Sequence, residues 1–246
     1  MIYEINPKYK NLKLFIENIE SYFQESSHVL YDQRNVIRVV NFEGENYVVK
    51  AFKVPNLVNR FAYRYLRPSK AKRSYQYSLK IGAELSPEPI AYIEQNKNAL
   101  LATSYYISKY FQYDHTIHEV LINKELKNRL KILEEFADFT FKLHQLEILH
   151  HDYSHGNILI KESNKVDSNF EFKIIDLNRM EFKLLHLKSR LENFSRIKAD
   201  DDDMKIIISQ YAKRMNMNLE DLLDDAIFYR DDFYQKRSLK HKLRGK

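Results

Sequence analysis

The first half of this sequence has the hydrophobic pattern of an antiparallel sheet. Three short runs rich in Val and Tyr are bounded by polar residues, at 28–32, 35–42 and 47–52. The turn 43–46 contains a glycine, and glycine between two such runs predicts a β-hairpin. The runs 89–94 and 99–107, joined by the polar segment 95–98, predict a second hairpin.

The second half has mostly helical spacing. From 124 to 147, apolar residues recur every three or four positions, which predicts an amphipathic helix. Two short strand-like runs follow at 158–160 and 170–176, separated by a polar turn. The other segments with helical spacing are 7–23, 69–83 and 184–235.

The order of these elements bears on the fold class. Strands come first and helices later, which predicts a mixed α+β architecture with two lobes. The character of the sequence changes after the second predicted hairpin. We therefore expect an N-terminal lobe at 1–106 and a C-terminal lobe at 107–246.

Composition narrows the possible functions. The 246 residues are 44% hydrophobic and 13% aromatic, which argues against wholesale disorder. Cysteine is absent, which excludes disulfides, a thiolate zinc site and a cysteine nucleophile. With only 4 glycines and 5 prolines, a glycine-rich dinucleotide-binding loop is not expected.

Basic residues are unevenly distributed. The chain has 40 Lys and Arg against 34 Asp and Glu, a formal net charge of +6. The segment 50–83 contains no acidic residue, and the segment 236–246 is also basic. Such patches attract phosphates or an anionic membrane surface, although many charge runs are simply solvated faces. We find no apolar run long enough to span a bilayer and no signal peptide, so we expect a cytoplasmic protein.

The residues that suggest chemistry lie in 150–160. His150, Asp152 and Asn157 fit the pattern H-x-D-x-x-x-x-N and precede an apolar strand. Downstream, Asp176 ends the second strand, and upstream Lys50 lies within a strand of the first lobe. Phosphoryl transfer needs these parts: a carboxylate for the attacking hydroxyl, oxygen ligands for Mg²⁺ and a cation for the nucleotide phosphates.

Two other clusters of ionisable residues are better explained by structural roles than by metal binding. The neighbouring histidines do not suit Mg²⁺, and we interpret His150 as a buried residue that supports its loop. The acidic run 200–203 is interpreted as the N-terminus of a helix.

These motifs resemble the lipopolysaccharide core kinases, the Kdo/heptose kinase (Kdo/WaaP) family of the protein-kinase-like superfamily. The similarity extends from about residue 28 to 197, and the segments that carry it are 47–75, 86–94, 104–108, 150–160 and 174–180. The resemblance implies a bilobal protein-kinase-like fold. Its N-terminal lobe would be an antiparallel sheet with one helix, and its C-terminal lobe would be mainly helical.

The resemblance also implies roles for individual residues. Asp152 would act on the acceptor hydroxyl as the catalytic carboxylate. Asn157 and Asp176 would ligate Mg²⁺, and Lys50 would contact the α- and β-phosphates of ATP. The hinge beside the adenine would consist of Ile107, Ser108 and Lys109.

The implied acceptor is a sugar hydroxyl, of Kdo or heptose, in the lipopolysaccharide inner core. The basic segments could then face the anionic membrane, with the protein peripheral at the inner face of the inner membrane. Nucleic acid is not an expected partner, because no RNP, zinc-finger or basic-region pattern occurs.

Three positions depart from the kinase pattern. The glycine-rich phosphate loop is missing, and Arg34 or backbone N–H groups would take its place. Gln76 stands where a helix Glu would pair with Lys50, and Asp176 is not followed by the usual glycine. Two alternatives therefore stay open: a non-catalytic pseudokinase binding module, and an aminoglycoside- or choline-type phosphotransferase.

Overall fold

The structure, a computed structural model, describes residues 1–33, 35–54, 56, 62–63, 66–97, 100–165 and 168–243. The chain divides into two compact units, Met1–Gln112 and Tyr113–Lys246, which are described one at a time. Within the described segments, no helix combines the length and the apolar character needed to cross a membrane.

A six-stranded antiparallel sheet forms the first unit. Its strands are β1 (Ile2–Ile5), β2 (Val29–Asp32), β3 (Val36–Phe42), β4 (Glu45–Phe52), β5 (Pro89–Lys97) and β6 (Leu100–Lys109). Their order is β1-β5-β6-β4-β3-β2. Both predicted hairpins are confirmed as β3–β4 and β5–β6. Strand β1 was not predicted, because its four residues are fixed only by pairing with β5.

Helices of the first unit include α1 (Lys13–Glu17), α2 (Ile19–Glu25) and α3 (Lys70–Ile81). The prediction of one helix over 7–23 was wrong: a 3₁₀ segment, Pro7–Leu12, comes first, and Asn18, with φ −108° and ψ 19°, interrupts the helix. The predicted helix over 69–83 is confirmed as α3. Ser69 caps it by accepting a hydrogen bond from the Lys72 amide, and Gly82, at φ 83°, ends it.

Alternation along the strands places different residues on the two faces of this sheet. Val49 and Ile107 lie opposite each other and pack with the apolar residues of α1 and α2. Lys50 lies opposite Tyr106 on the other face, where Tyr75 of α3 packs. The sheet is therefore covered by helices on both faces, and Lys50 lies on the α3 side.

The second unit combines short strands with longer helices. Its strands are β7 (His115–Thr116), β8 (Ile148–His150), β9 (Ile158–Lys165), β10 (Ser168–Ile174) and β11 (Met180–Phe182). Its helices are α4 (Ile117–Ile122), α5 (Arg129–Gln145), α6 (Leu187–Asn193), α7 (Asp201–Met215) and α8 (Glu220–Leu243). The mixed α+β class, with a sheet first and a mainly helical second part, is confirmed.

Helix boundaries differ from the sequence pattern in this unit. The predicted helix over 124–147 begins only at Arg129, because Asn128 is left-handed at φ 61°. The separate helix α4 was missed, although Thr116 and Glu119 form a capping box at its start. The segment 184–235 contains parts of three helices, and the acidic run 200–203 begins α7 as predicted.

Helix α5 organises the core of the second unit. Its buried residues contact the β9–β10 hairpin, where Phe136 and Phe139 lie beside Phe172, and they also pack against α7. The buried face includes Leu133 and Leu143, which belong to the apolar stripe read from the sequence. The hairpin and the loop before it are thus supported from beneath by one long helix.

Candidate active site

Two of the predicted site residues come together at the open end of the β9–β10 hairpin. Asn157 immediately precedes β9 and Asp176 lies two residues after the end of β10. Because Ile158 lies opposite Ile174, these two ends are adjacent. The chain is tied there by a hydrogen bond of 2.9 Å from the Ile175 amide to the Asn157 carbonyl.

His150 fastens Asp152 to the same place. Its Nδ1 accepts a hydrogen bond of 3.0 Å from the Asp152 amide, so Nε2 carries the ring proton and donates to the Ile175 carbonyl at 3.0 Å. The ring is buried, and burial lowers its pKa below the ordinary value. His150 is therefore a neutral cross-link between the loop and the residue before Asp176, which confirms its predicted supporting role.

The oxygens of Asn157 and Asp176 are a suitable set for Mg²⁺. The Asn157 side-chain amide donates to the Asp152 carbonyl at 2.9 Å, which directs its Oδ1 away from that bond. No group of three or more acidic or histidine side chains in the described segments could hold a metal alone. Mg²⁺ commonly takes one or two protein oxygens and completes its shell with substrate phosphates and water. The residues present fit that pattern.

Asp176 adopts an unusual backbone conformation. Its φ of 59° and ψ of 47° are left-handed, a region that non-glycine residues occupy at a cost of about 1–3 kcal/mol. The Asn178 side chain donates a hydrogen bond to its carboxylate. Strain of this kind concentrates at functional sites, and here it sets the direction in which the carboxylate leaves the strand.

Asp152 has two arginine neighbours that the sequence did not reveal. Arg196 donates a hydrogen bond of 3.0 Å to Oδ1, and Nη1 of Arg179 lies 3.7 Å from Oδ2. The Arg196 guanidinium also lies 4.8 Å from the centre of the Phe233 ring of α8. The two arginines are 27 and 44 positions from Asp152 in sequence and Phe233 is 81 positions away, so no local spacing could have found them.

A relay of buried side chains holds the loop from the other side. The Tyr211 hydroxyl donates to Nδ1 of His144 at 2.8 Å, and Nε2 of His144 donates to Oδ1 of Asn193 at 3.1 Å. Asn193 then donates to the His150 carbonyl at 3.0 Å. Burial lowers the pKa of His144 to about 4, so the relay is neutral near pH 7.

Tyr153 provides a second anchor for the loop. Its buried hydroxyl lies 2.8 Å from Oγ1 of Thr140, which donates its own proton to the Phe136 carbonyl. The tyrosine is therefore the donor to Thr140. The loop that carries Asp152 is attached to α5 by this bond.

In the first unit, Lys50 lies within β4 and is only 8% exposed, with Nζ 5.3 Å from the centre of the Phe52 ring. Gln76 lies on the exposed side of α3, whereas Tyr75 packs beneath the helix against the sheet. The face of α3 that covers the Lys50 side of the sheet therefore presents Tyr75. Arg34, the predicted phosphate contact, lies outside the described residues.

The predicted hinge residues belong to β6. Ile107 and Ser108 are paired with β4 on one side and β5 on the other. The Lys109 amide donates to the Glu88 carbonyl at 2.8 Å, and its ammonium lies 3.4 Å from Glu45. Strand β6 ends at Lys109. The amide of the next residue, Tyr110, still donates a hydrogen bond to the Asn46 carbonyl.

Comparison with known proteins gives a family match and a fold match. The model of the lipopolysaccharide kinase (Kdo/WaaP) family matches residues 87–215, which include Asp152, Asn157 and Asp176. No curated protein matches the sequence.

Among solved structures, WaaP in complex with acyl carrier protein matches with a TM-score of 0.61 and 16% identity, over 96% of this chain and 98% of that one. The Rio2 kinase from Chaetomium thermophilum, in a complex with ADP, Mg²⁺ and phosphoaspartate, matches with a TM-score of 0.47 and 16% identity, over 90% and 67%. The likeness to WaaP shows that the chain has the protein-kinase-like fold.

Proposed function

Because the chain belongs to the lipopolysaccharide kinase (Kdo/WaaP) family, we propose that it transfers the γ-phosphoryl group of ATP to a sugar hydroxyl of the lipopolysaccharide inner core. Kdo or heptose is the proposed sugar, and Mg²⁺ the proposed metal. The observation that carries the proposal is the junction of Asp152, Asn157 and Asp176, which His150 and the hairpin hold together.

In the proposed reaction, Asp152 accepts the proton of the acceptor hydroxyl. The hydroxyl oxygen forms a bond to the γ-phosphorus while the bond from that phosphorus to the β–γ bridging oxygen breaks, and ADP leaves with the electron pair. Asn157 and Asp176 would hold Mg²⁺, which neutralises phosphate charge when bound. Lys50 would contact the α- and β-phosphates, and the end of β6 would lie beside the adenine.

The decisive test uses Asp152→Asn, which preserves shape and removes the carboxylate. With ATP, Mg²⁺ and Kdo-lipid A, we expect kcat to fall about 10²- to 10⁴-fold, because a positioned general base contributes that much. Thermal stabilisation by ATP and Mg²⁺ should persist, because Asp152 is not a proposed nucleotide ligand. Asp176→Asn should lose both transfer and most of that stabilisation.

The matched control is Asp202→Asn, an equal change at an exposed position of α7. It should match the parent in both measurements. Full activity of Asp152→Asn would disprove the proposed role. Stabilisation by nucleotide without transfer to any acceptor would instead support the pseudokinase alternative.

The proposed acceptor is a membrane glycolipid, so we also propose peripheral contact with the inner face of the inner membrane. The exposed end of α8 suits such a surface, because it presents basic residues together with the exposed apolar side chains of Leu239 and Leu243. The basic residues are Lys236, Arg237, Lys240 and Lys242. Together they would attract anionic headgroups.

A further inference from the structure

The carboxylate of Asp152 lies between two guanidinium groups that the proposed reaction does not use. Arg196 is hydrogen-bonded to Oδ1 and held on the Phe233 ring, so its position is fixed from two sides. Arg179 approaches Oδ2 only to 3.7 Å and its side chain is 60% exposed. An arginine has five N–H donors, so the exposed Arg179 side chain can contact a further anion beside the proposed base.

Helix α8 brings a further cation to this place. Arg237 lies four residues after Phe233 and therefore on the same helix face, the one that packs on Arg196. Lys198 is exposed and follows Arg196 by two residues. These cations therefore come from three separate segments of the second unit.

The nearby acidic residues of α8 do not cancel this charge. Asp231 is paired with Arg230, and Asp232 with Lys236, in ion pairs of 2.8 and 2.7 Å. Arg179 and Arg196 contact the Asp152 carboxylate, and Lys198 and Arg237 lie on the segments that carry Arg196 and its neighbour Phe233. Like charges held together at a surface attract an anionic ligand.

We propose that Arg179, Arg196, Lys198 and Arg237 form an anion subsite that binds an acidic group of the acceptor next to the hydroxyl that is phosphorylated. This rests on the proposed function, because the hydroxyl must reach Asp152. A substituent near that hydroxyl then lies within a few ångströms of Arg179. A carboxylate or a phosphate suits the planar fork of an arginine, whereas a neutral sugar offers these cations no anionic partner.

The γ-phosphate of ATP is the other source of such an anion, and kinetics separates the two. The probes are a Kdo glycoside as its free acid and the methyl ester of the same glycoside. For Arg179→Gln and Arg237→Gln we expect KM for the acid to rise about 10- to 100-fold, as expected on loss of a charged hydrogen bond. KM for ATP should stay near the parent value, and the loss with the ester should be much smaller than the loss with the acid.

The matched control is Lys213→Gln, which removes one exposed cation from α7 of the same unit and should change neither KM. A rise in KM for ATP, with equal losses on acid and ester, would assign the arginines to the nucleotide and overturn the proposal. Both test positions are exposed, so the variants should fold, and their circular dichroism should match the parent.

Calorimetric binding without ATP separates this proposal from the proposed function. The parent should bind the acid at least tenfold more tightly than the ester, and Arg179→Gln should lose that preference. Equal binding of acid and ester would refute the subsite even where transfer occurs. Preferential binding of the acid without any transfer would support the subsite and count against the kinase activity.

Discussion

Asn193 connects the candidate catalytic loop, residues 150–157, to the helices behind it. It accepts a hydrogen bond from His144 and donates one to the His150 carbonyl, and it is itself buried. His150 in turn holds Asp152 and Ile175. A single amide at the end of α6 therefore connects α5 and α7 with the loop that carries the proposed base.

Replacing Asn193 by alanine should lower both stability and turnover. The change leaves the His150 carbonyl and the Nε2–H group of His144 unpaired, and each such buried group costs about 1–3 kcal/mol. We expect the free energy of unfolding, measured in urea, to fall by about 2–4 kcal/mol. The neighbouring exposed position gives the control, Glu192→Ala, which should change it by less than about 0.5 kcal/mol. A variant as stable as the parent would show that the relay does not contribute to stability.

Acid should destabilise the protein through His144. Its pKa is about 4 in the folded chain and near 6.5 when unfolded, so between these values the unfolded chain binds more protons. Stability is thus complete above pH 6.5 and is lost as the pH falls towards 4, by about 3 kcal/mol from this residue. Urea titrations from pH 7.5 to 4 should show that the free energy of unfolding depends less steeply on pH in His144→Gln than in the parent. An equal pH dependence in both would contradict the role given to His144.

Among the elements, α7 begins in an ion cluster that also fixes the start of α5. Asp200 caps α7 by accepting a hydrogen bond from the Asp203 amide. The buried carboxylate of Asp203 binds Lys124 and Arg129, which lie before and at the start of α5. The acidic run thus joins two helices rather than ligating a metal, as its position at a helix start indicated.

Asp203→Ala should therefore be strongly destabilising. Arg129 is mostly buried, and removing one partner of a buried ion pair costs about 3–5 kcal/mol because the other charge stays unpaired. Denaturant titration should show a loss of that size. Asp202→Ala, one position earlier and exposed, should differ from the parent by less than about 1 kcal/mol. Similar losses in both variants would mean that only the helix dipole matters.

At the scale of the whole molecule, positive charge favours contact with an anionic surface. The net charge is +6, and the exposed end of α8 is basic. Attraction to an anionic surface contributes about 1 kcal/mol for each Lys or Arg near it and is screened by salt. Peripheral binding of this kind needs no membrane-spanning helix.

We expect sedimentation with vesicles that contain anionic lipid, and weaker sedimentation as the salt concentration rises. Removing two charges with Lys240→Gln and Lys242→Gln should reduce the partition coefficient about 30-fold. The control pair, Lys205→Gln and Lys213→Gln, removes equal charge from exposed positions of α7 and should have little effect. Equal binding to neutral vesicles would contradict an electrostatic mode.

How far the sequence could predict the fold depended on the range of the interactions involved. The hairpins β3–β4 and β5–β6 and helix α3 follow from periodicity and turn residues, which are local. Strand β1 was missed because its partner is about 90 residues away. The break at Asn18 was missed because the apolar spacing continues across it, while the backbone there is not helical.

The site divides in the same way. Asp152, Asn157 and Asp176 could be recognised from spacing, because they flank strands of one short hairpin and its loop. Gln76 is exposed and Tyr75 is packed because of the way α3 rests on the sheet. Rotating the helix by one residue would exchange the two environments. Arg34 lies beyond the described residues and keeps its role as a prediction only.

The sequence by itself determined the class of fold, the hairpin that carries the proposed metal ligands and the loop of the proposed base. These features depend on residues close together in the chain, whose pattern is visible without coordinates. Only the tertiary structure decided which cations surround Asp152 and which side chains hold its loop. Arg196, Asn193 and Phe233 reach that loop through packing of elements that are distant in sequence. The periodicity of a helix shows which face is buried but not which element packs against it.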